Sequence, residues 1–135
     1  MASENRFVES VAGVLEAEVA LETPFRQTPG WSSLKAFGLL VLMENDWKAP
    51  ITAARLGELS TVRDLYREAF LAFAAKLFGV GRETLTGETA YESIPQWDSV
   101  NHLRLVMEAE KRFGTSYPLE TVPSLKTIED FVNEG

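Results

Sequence analysis

Few residues in this chain combine reactive chemistry with a setting that would use it, and the best placed is Ser99 in the run Gln96-Trp97-Asp98-Ser99-Val100-Asn101-His102. A serine hydroxyl accepts a transferred group only where it is exposed and firmly held, and a helix start meets both needs. Pro95 lies just upstream. Asp98 is a good N-cap residue whose carboxylate accepts first-turn N–H groups and is favoured by the positive end of the helix dipole. Ser99 then falls in the first turn, among backbone donors without intrahelical partners, which suits a hydroxyl that is to carry a phosphate. His102, the only histidine, lies one turn further on, where it could touch such a phosphate. The plainer reading of a lone helix histidine is an exposed residue with no specific task.

Other chemistries fall away. The chain has no cysteine, which excludes disulfides, thiolate nucleophiles and cysteine-based metal sites. With one histidine, a His-rich metal centre or a Ser-His hydrolase with a spare base has no residues to build it. The pairs Glu16/Glu18 and Glu108/Glu110 stand two residues apart, on different helix faces, so neither forms a general acid/base pair. No glycine-rich phosphate loop is present. The expectation is a protein that is not an enzyme and binds no metal.

The elements that must position Ser99 come next. From Val100 on, Val100, Leu103, Val106, Met107 and Phe113 recur at three- and four-residue spacing, which predicts the buried face of an amphipathic helix. Asn101, Arg104, Glu108 and Lys111 are then left in water. Laying residues 1–69 over residues 67–135 at a fixed offset of 66, without gaps, exposes an internal repeat. Phe7 meets Phe73, Gly13 meets Gly79, Thr23 meets Thr89, Trp31 meets Trp97, Ser33 meets Ser99, Leu59 meets Leu125 and Asp64 meets Asp130. The chain is two copies of one unit.

In copy one, residues 4–19 read as a first helix with Phe7, Val8, Val11, Val14, Leu15 and Val19 at helical spacing. A long loop follows, punctuated by Thr23-Pro24 and Thr28-Pro29-Gly30. Ser32 caps a second helix running to Trp47, with Leu34, Phe37, Leu40, Val41 and Trp47 as expected core positions. The middle of that helix, Phe37 to Met43, is apolar nearly all round, which means deep burial or an apolar contact outside the unit. A short helix is expected at Ala53–Gly57, with Ser60 or Thr61 capping the last. From Thr61 to Phe78 there is no glycine, proline or turn cluster, and Val62, Leu65, Tyr66, Ala69, Phe70, Phe73 and Leu77 form an unbroken stripe. The last helix of copy one is therefore expected to run into the first of copy two. In copy two a long loop precedes Ser99, a short third helix is expected at Leu119–Thr121, and a final helix from Lys126 or Thr127 carries Ile128, Phe131 and Val132 inward.

The motif Asp98-Ser99-Val100 followed by Leu103 to Gly114 resembles the acyl carrier protein family. Tyr117-Pro118 resembles the family's turn after its second helix, and Leu125-Lys126-Thr127-Ile128-Glu129-Asp130-Phe131 resembles the start of its last helix. The resemblance implies an all-α fold of two tandem acyl-carrier-like four-helix bundles joined by a shared continuous helix. One is a carrier-like domain at 1–67 with the Ser32-Ser33 motif, and the other a carrier domain at 68–135 with the Asp98-Ser99 motif. It also implies that Ser99 receives 4′-phosphopantetheine from coenzyme A through a phosphopantetheinyl transferase and Mg²⁺, the serine attacking the β-phosphate. The arm then tethers acyl or aminoacyl groups as thioesters for acyl-loading and acyl-processing enzymes, as in fatty acid or polyketide biosynthesis. The arm's own thiol fits a chain without cysteine. Ser33 aligns with Ser99, but Ser32 replaces the acidic residue. Copy one is therefore either a second acceptor or an unmodified partner that buttresses copy two or docks another protein. A carrier-like scaffold without an arm is the alternative for the whole chain.

The formal net charge is −7, with 7 basic and 9 acidic residues in 1–67 and 6 basic and 11 acidic thereafter. An acidic surface disfavours nucleic acid and anionic membrane as partners. Members of the family present acidic residues along the second helix. Here Glu108, Glu110, Glu44 and Asp46 are joined by Arg104 and Lys35, which points away from the central fatty-acid carrier and towards a specialised pathway. The first residues lack a basic segment followed by an apolar run, and no stretch is long enough to span a bilayer. A cytoplasmic monomer is expected.

Overall fold

A computed structural model describes residues 5–134 of the chain, and it is all-α: helices and 3-10 turns, with two isolated β-bridges. The α-helices are α1 (Arg6–Leu15), α2 (Ser33–Asn45), α3 (Ala53–Glu58), α4 (Val62–Phe78), α5 (Ser99–Phe113) and α6 (Ile128–Glu134). Short 3-10 turns occupy Phe25–Gln27, Arg82–Thr84 and Leu119–Ser124. The chain divides into two compact units, Phe7–Ala69 and a second that runs on from Phe70 and also takes in Arg6. The division falls inside α4, which is one unbroken helix of 17 residues.

Each helix forms where its sequence supplies a start and a stop. Ser32 caps α2 by accepting from the Lys35 N–H at 3.4 Å, and Thr52 caps α3 by accepting from Arg55 N–H at 3.0 Å. Asp98 caps α5, and Gly114 ends it in the left-handed conformation, φ 74°, which glycine adopts without a Cβ penalty. The repeat equivalent of Gly114 is Lys48, which takes φ 55° with a side chain in the way. α1 ends at Leu15, four residues before the expected end, because Glu16 also turns left-handed at φ 57°. Its expected start at residue 4 lies outside the described residues. The third helical segment of the second unit is a 3-10 turn with Pro123 inside it, since proline has no N–H for the α-helical ladder.

The repeat read in the sequence recurs in several backbone bridges and caps. Pro24 bridges Thr61 in one unit and Ala90 bridges Thr127 in the other, each 66 residues apart from its counterpart. Phe25 N–H donates to Ser60 O at 3.1 Å, as Tyr91 N–H does to Lys126 O at 2.7 Å. Asp64 Oδ2 accepts from the Ser60 and Thr61 N–H groups, as Asp130 Oδ2 does from Lys126 and Thr127. These carboxylates fix the entry into α4 and α6.

Within Phe7–Ala69 the core gathers on Phe7, whose ring lies 5.2 Å from Trp47 and 5.5 Å from Tyr66. In the second unit Phe70 lies 5.5 Å from both Phe113 and Phe131. Trp97 is fully buried between Phe78 at 5.4 Å and Phe131 at 6.3 Å. Ile128, Phe131 and Val132 all point inward, as their spacing predicts.

One expectation is overturned in part in both units, although Val106, Phe113 and Trp47 are buried as their spacing predicts. Val100, Leu103 and Met107 do not face the core but are 65%, 55% and 55% exposed, and the buried stripe of α5 is Leu105, Val106, Ala109 and Phe113. In α2, Leu34, Phe37 and Val41 are 76%, 61% and 39% exposed, while Leu39, Leu42 and Met43 are buried. Both helices carry apolar residues at two interleaved helical spacings. The core takes the stripe that meets the aromatic cluster, and hydrophobicity alone does not say which of two stripes that is.

Candidate functional site

Ser99 is the first residue of α5 and is exposed. Its position is set from both sides. Upstream, the Trp97 indole is locked in the core, so the chain enters the helix from a fixed point. At the cap itself, Asp98 Oδ1 accepts from Asn101 N–H at 2.9 Å, and Asp98 O accepts from His102 N–H at 2.8 Å. Asn101 ties the turn back by donating from Nδ2 to Gln96 O at 2.7 Å, and Arg104 donates to Asn101 Oδ1 at 2.8 Å. The hydroxyl is thus presented to solvent on a backbone with little freedom.

His102 is not the exposed helix residue expected from sequence. It is half-buried, and Trp97 Nε1–H donates to its Nδ1 at 3.0 Å. An indole nitrogen can only donate, so Nδ1 carries no proton and the ring is neutral with its proton on Nε2. The ring lies 4.8 Å from Tyr91, 6.0 Å from Trp97 and 5.7 Å from Phe131. Burial among these rings pushes the His102 pKa down, and a hydrogen bond to the Val122 backbone opposes part of that shift.

Beside Ser99 opens a groove of about 540 Å³, lined by Tyr91, His102, Leu103, Val122, Pro123 and Lys126. Its surface is mainly apolar, with the Ser99 hydroxyl at its edge. Desolvation and the neighbouring Glu92 and Asp98 carboxylates push the Tyr91 hydroxyl above its ordinary pKa, so it stays neutral in ordinary buffers. A tethered chain starting on Ser99 would find an apolar trough within reach.

Ser33 occupies the equivalent place at the start of α2 and is likewise exposed. Its surroundings differ. Lys35 is not a surface cation of α2: its Nζ donates to Leu15 O at 2.8 Å and Pro29 O at 3.3 Å, and sits 3.8 Å from Glu16. Ala36 stands where copy two has His102, and Trp31, packed 5.7 Å from Phe25, is only half-buried where Trp97 is fully enclosed. A groove of about 400 Å³ on this unit is lined by Val14, Leu34, Phe37, Gly38 and Val41 with Glu16 and Lys35, and Ser33 is not part of it.

Among the described residues no group of three or more His, Cys, Asp or Glu side chains is placed to hold a metal ion. Nor is any described helix long and apolar enough to cross a membrane. The two serines are brought to matching helix starts, but only Ser99 lies on the groove just described. Sequence reasoning missed Tyr91 as a wall of the site and the exposed stripe of α5 beside Ser99, whereas on α2 an apolar contact outside the unit was one of its two alternatives. The stripes had a signal: Leu34, Phe37 and Val41 map onto Val100, Leu103 and Met107 at the same offset of 66. No protein-family model matches the chain, and no solved structure matches it.

Proposed function

We propose that the chain is an acyl-carrier-type protein, a tandem of two carrier-like four-helix units, 1–67 and 68–135, that carries 4′-phosphopantetheine on Ser99. The observation that carries this reading is the exposed Ser99 hydroxyl, capped in place by Asp98 at the start of α5, on the edge of an apolar groove of about 540 Å³. The site fits the arm because the hydroxyl is accessible and the groove can shelter an apolar segment bonded to it.

In this reading Ser99 Oγ attacks the β-phosphate of coenzyme A, held with Mg²⁺ by a separate transferase. A Ser99 O–P bond forms, the pyrophosphate bond breaks, 3′,5′-ADP leaves and the serine proton passes to a base of the transferase. Once attached, the arm supplies the thiol that holds an acyl or aminoacyl group as a thioester. The chain itself contributes the fixed hydroxyl, the groove and a surface for the loading and processing enzymes. The exposed stripe Val100, Leu103 and Met107, running from Ser99 along α5, is the apolar part of that surface.

Copy one supports a second role better than a second arm. Lys35 folded back on Leu15 and Pro29, and Ala36 in place of a histidine, leave Ser33 without the setting of Ser99. In this reading unit one is an unmodified partner.

Because the chain has no cysteine, any thiol it acquires reports the arm. After incubation with coenzyme A, Mg²⁺ and a broad-specificity transferase, then removal of small molecules, the wild type is expected to titrate one thiol per chain and Ser99→Ala none. Wild-type protein that is folded yet gains no thiol contradicts the reading and favours a scaffold without an arm.

A further inference from the structure

His102 joins the groove wall to the fully buried Trp97 beside Ser99. Its Nδ1 accepts from the Trp97 indole at 3.0 Å, and the ring lines the groove together with Ser99 and Val122. With Nδ1 taken by Trp97, the ring carries its proton on Nε2. The imidazole is a strut between the segment that sets Ser99 in place and the wall of the trough.

We propose that His102 is a positioning residue for the Ser99 site, a strut that holds Trp97 and the adjoining groove wall in place only while Nδ1 is unprotonated. This deepens the carrier reading and rests on it for its consequence, though not for its test. Protonation turns Nδ1 into a donor facing the Trp97 N–H donor. Two donors cannot share that contact, so the ring or the indole must shift. Acid therefore releases the Trp97 side of the strut.

The charged and titratable groups around the ring do not replace this control. On its own helix Asp98 lies one turn back, engaged with the Asn101 N–H. Tyr91 and its neighbour Glu92 approach from the preceding loop, and Lys126 shares the groove from the segment before α6. The Leu119–Ser124 turn offers the ring the Val122 backbone, and α6 offers the uncharged Phe131 ring. Burial favours the neutral ring. The repeat supplies an internal comparison: where Ala36 replaces the histidine, Trp31 is half-buried and the groove on that unit does not include the serine.

The test uses the full chain without an arm, labelled with ¹⁵N, and follows the Trp97 indole N–H resonance from neutral to acid pH, assigned by its loss in Trp97→Phe. The expected result is a shift whose midpoint coincides with the titration of the His102 ring and lies below the ordinary histidine value of about 6.5. The Ser99, Leu103 and Lys126 amides should move with the same midpoint. In His102→Gln, which does not titrate in this range, that midpoint should vanish. A Trp97 resonance that stays put while His102 protonates, or that titrates alike in His102→Gln, overturns the proposal. So does cooperative unfolding of the wild type before His102 takes its proton. Should His102→Gln not fold, the wild-type titration decides alone. Failure of Ser99 to accept an arm would leave this result untouched, so the two readings fail separately.

Discussion

At Asp98 the side-chain cap beside Ser99 rests on one carboxylate oxygen, 2.9 Å from the Asn101 N–H. Asp98→Ala should lower stability by about 1 kcal/mol in urea denaturation, the usual worth of an N-cap, whereas Asp98→Asn should stay close to wild type. His102 gives a pH dependence of definite sign. Its folded-state pKa lies below the unfolded value, so over that window the unfolded chain binds more protons. Its contribution is fully present above the unfolded histidine value of about 6.5 and is lost as pH falls towards the folded one. Chemical denaturation at stepped pH should show this loss in the wild type and not in His102→Gln. The cap and the serine were legible because capping is local chemistry. The role of His102 was not, because Tyr91 and Trp97 of the preceding loop, Val122 of the 3-10 turn and Phe131 of α6 come to it from three separate segments.

The helices show what periodicity can and cannot decide. The existence and starts of α2, α4, α5 and α6 follow from caps and stripes, but the buried face of α2 and α5 does not. Each helix carries two apolar stripes, and of the positions read as core Val106, Phe113 and Trp47 are buried while Val100, Leu103, Met107, Leu34, Phe37 and Val41 are left in water. The two stripes should behave oppositely on mutation. Leu105→Ala, in the buried row, should cost about 2–5 kcal/mol, whereas Leu103→Ser should stay within about 0.5 kcal/mol of wild type in the same denaturation assay. Equal losses at the two positions would mean that the faces are assigned wrongly. Lys48 offers a gain. It holds a left-handed φ of 55° where the repeat has Gly114, so Lys48→Gly should raise the melting temperature, by about 0.5–1 kcal/mol in stability terms.

Over the whole chain, the repeat is the feature that sequence conveyed most fully. The offset of 66 aligns residues, and the same offset aligns β-bridges, aspartate caps and helix starts. The 3-10 character of Leu119–Ser124 escaped it, because Pro123 permits either a turn or a helix break until its neighbours are placed. Partial burial raises the pKa of Asp64, but the Ser60 and Thr61 N–H groups and Arg67 outweigh it and hold the carboxyl below its ordinary value. Its contribution is present above the unfolded aspartate value of about 3.9 and is lost as pH falls through the folded one, and Asp64→Ala should remove that part of the acid sensitivity. α4 runs unbroken through the division between the units, so limited trypsin digestion should cut at Arg26 or Lys48 before Arg67, which lies mid-helix.

The central claim is that one hydroxyl, that of Ser99, takes the arm. The most direct measurement is the intact mass of wild type, Ser33→Ala and Ser99→Ala before and after treatment with coenzyme A, Mg²⁺ and a phosphopantetheinyl transferase. The account predicts a single phosphopantetheinyl addition to the wild type and to Ser33→Ala, and none to Ser99→Ala. An addition that persists in Ser99→Ala, or a folded wild type that gains no mass, contradicts it.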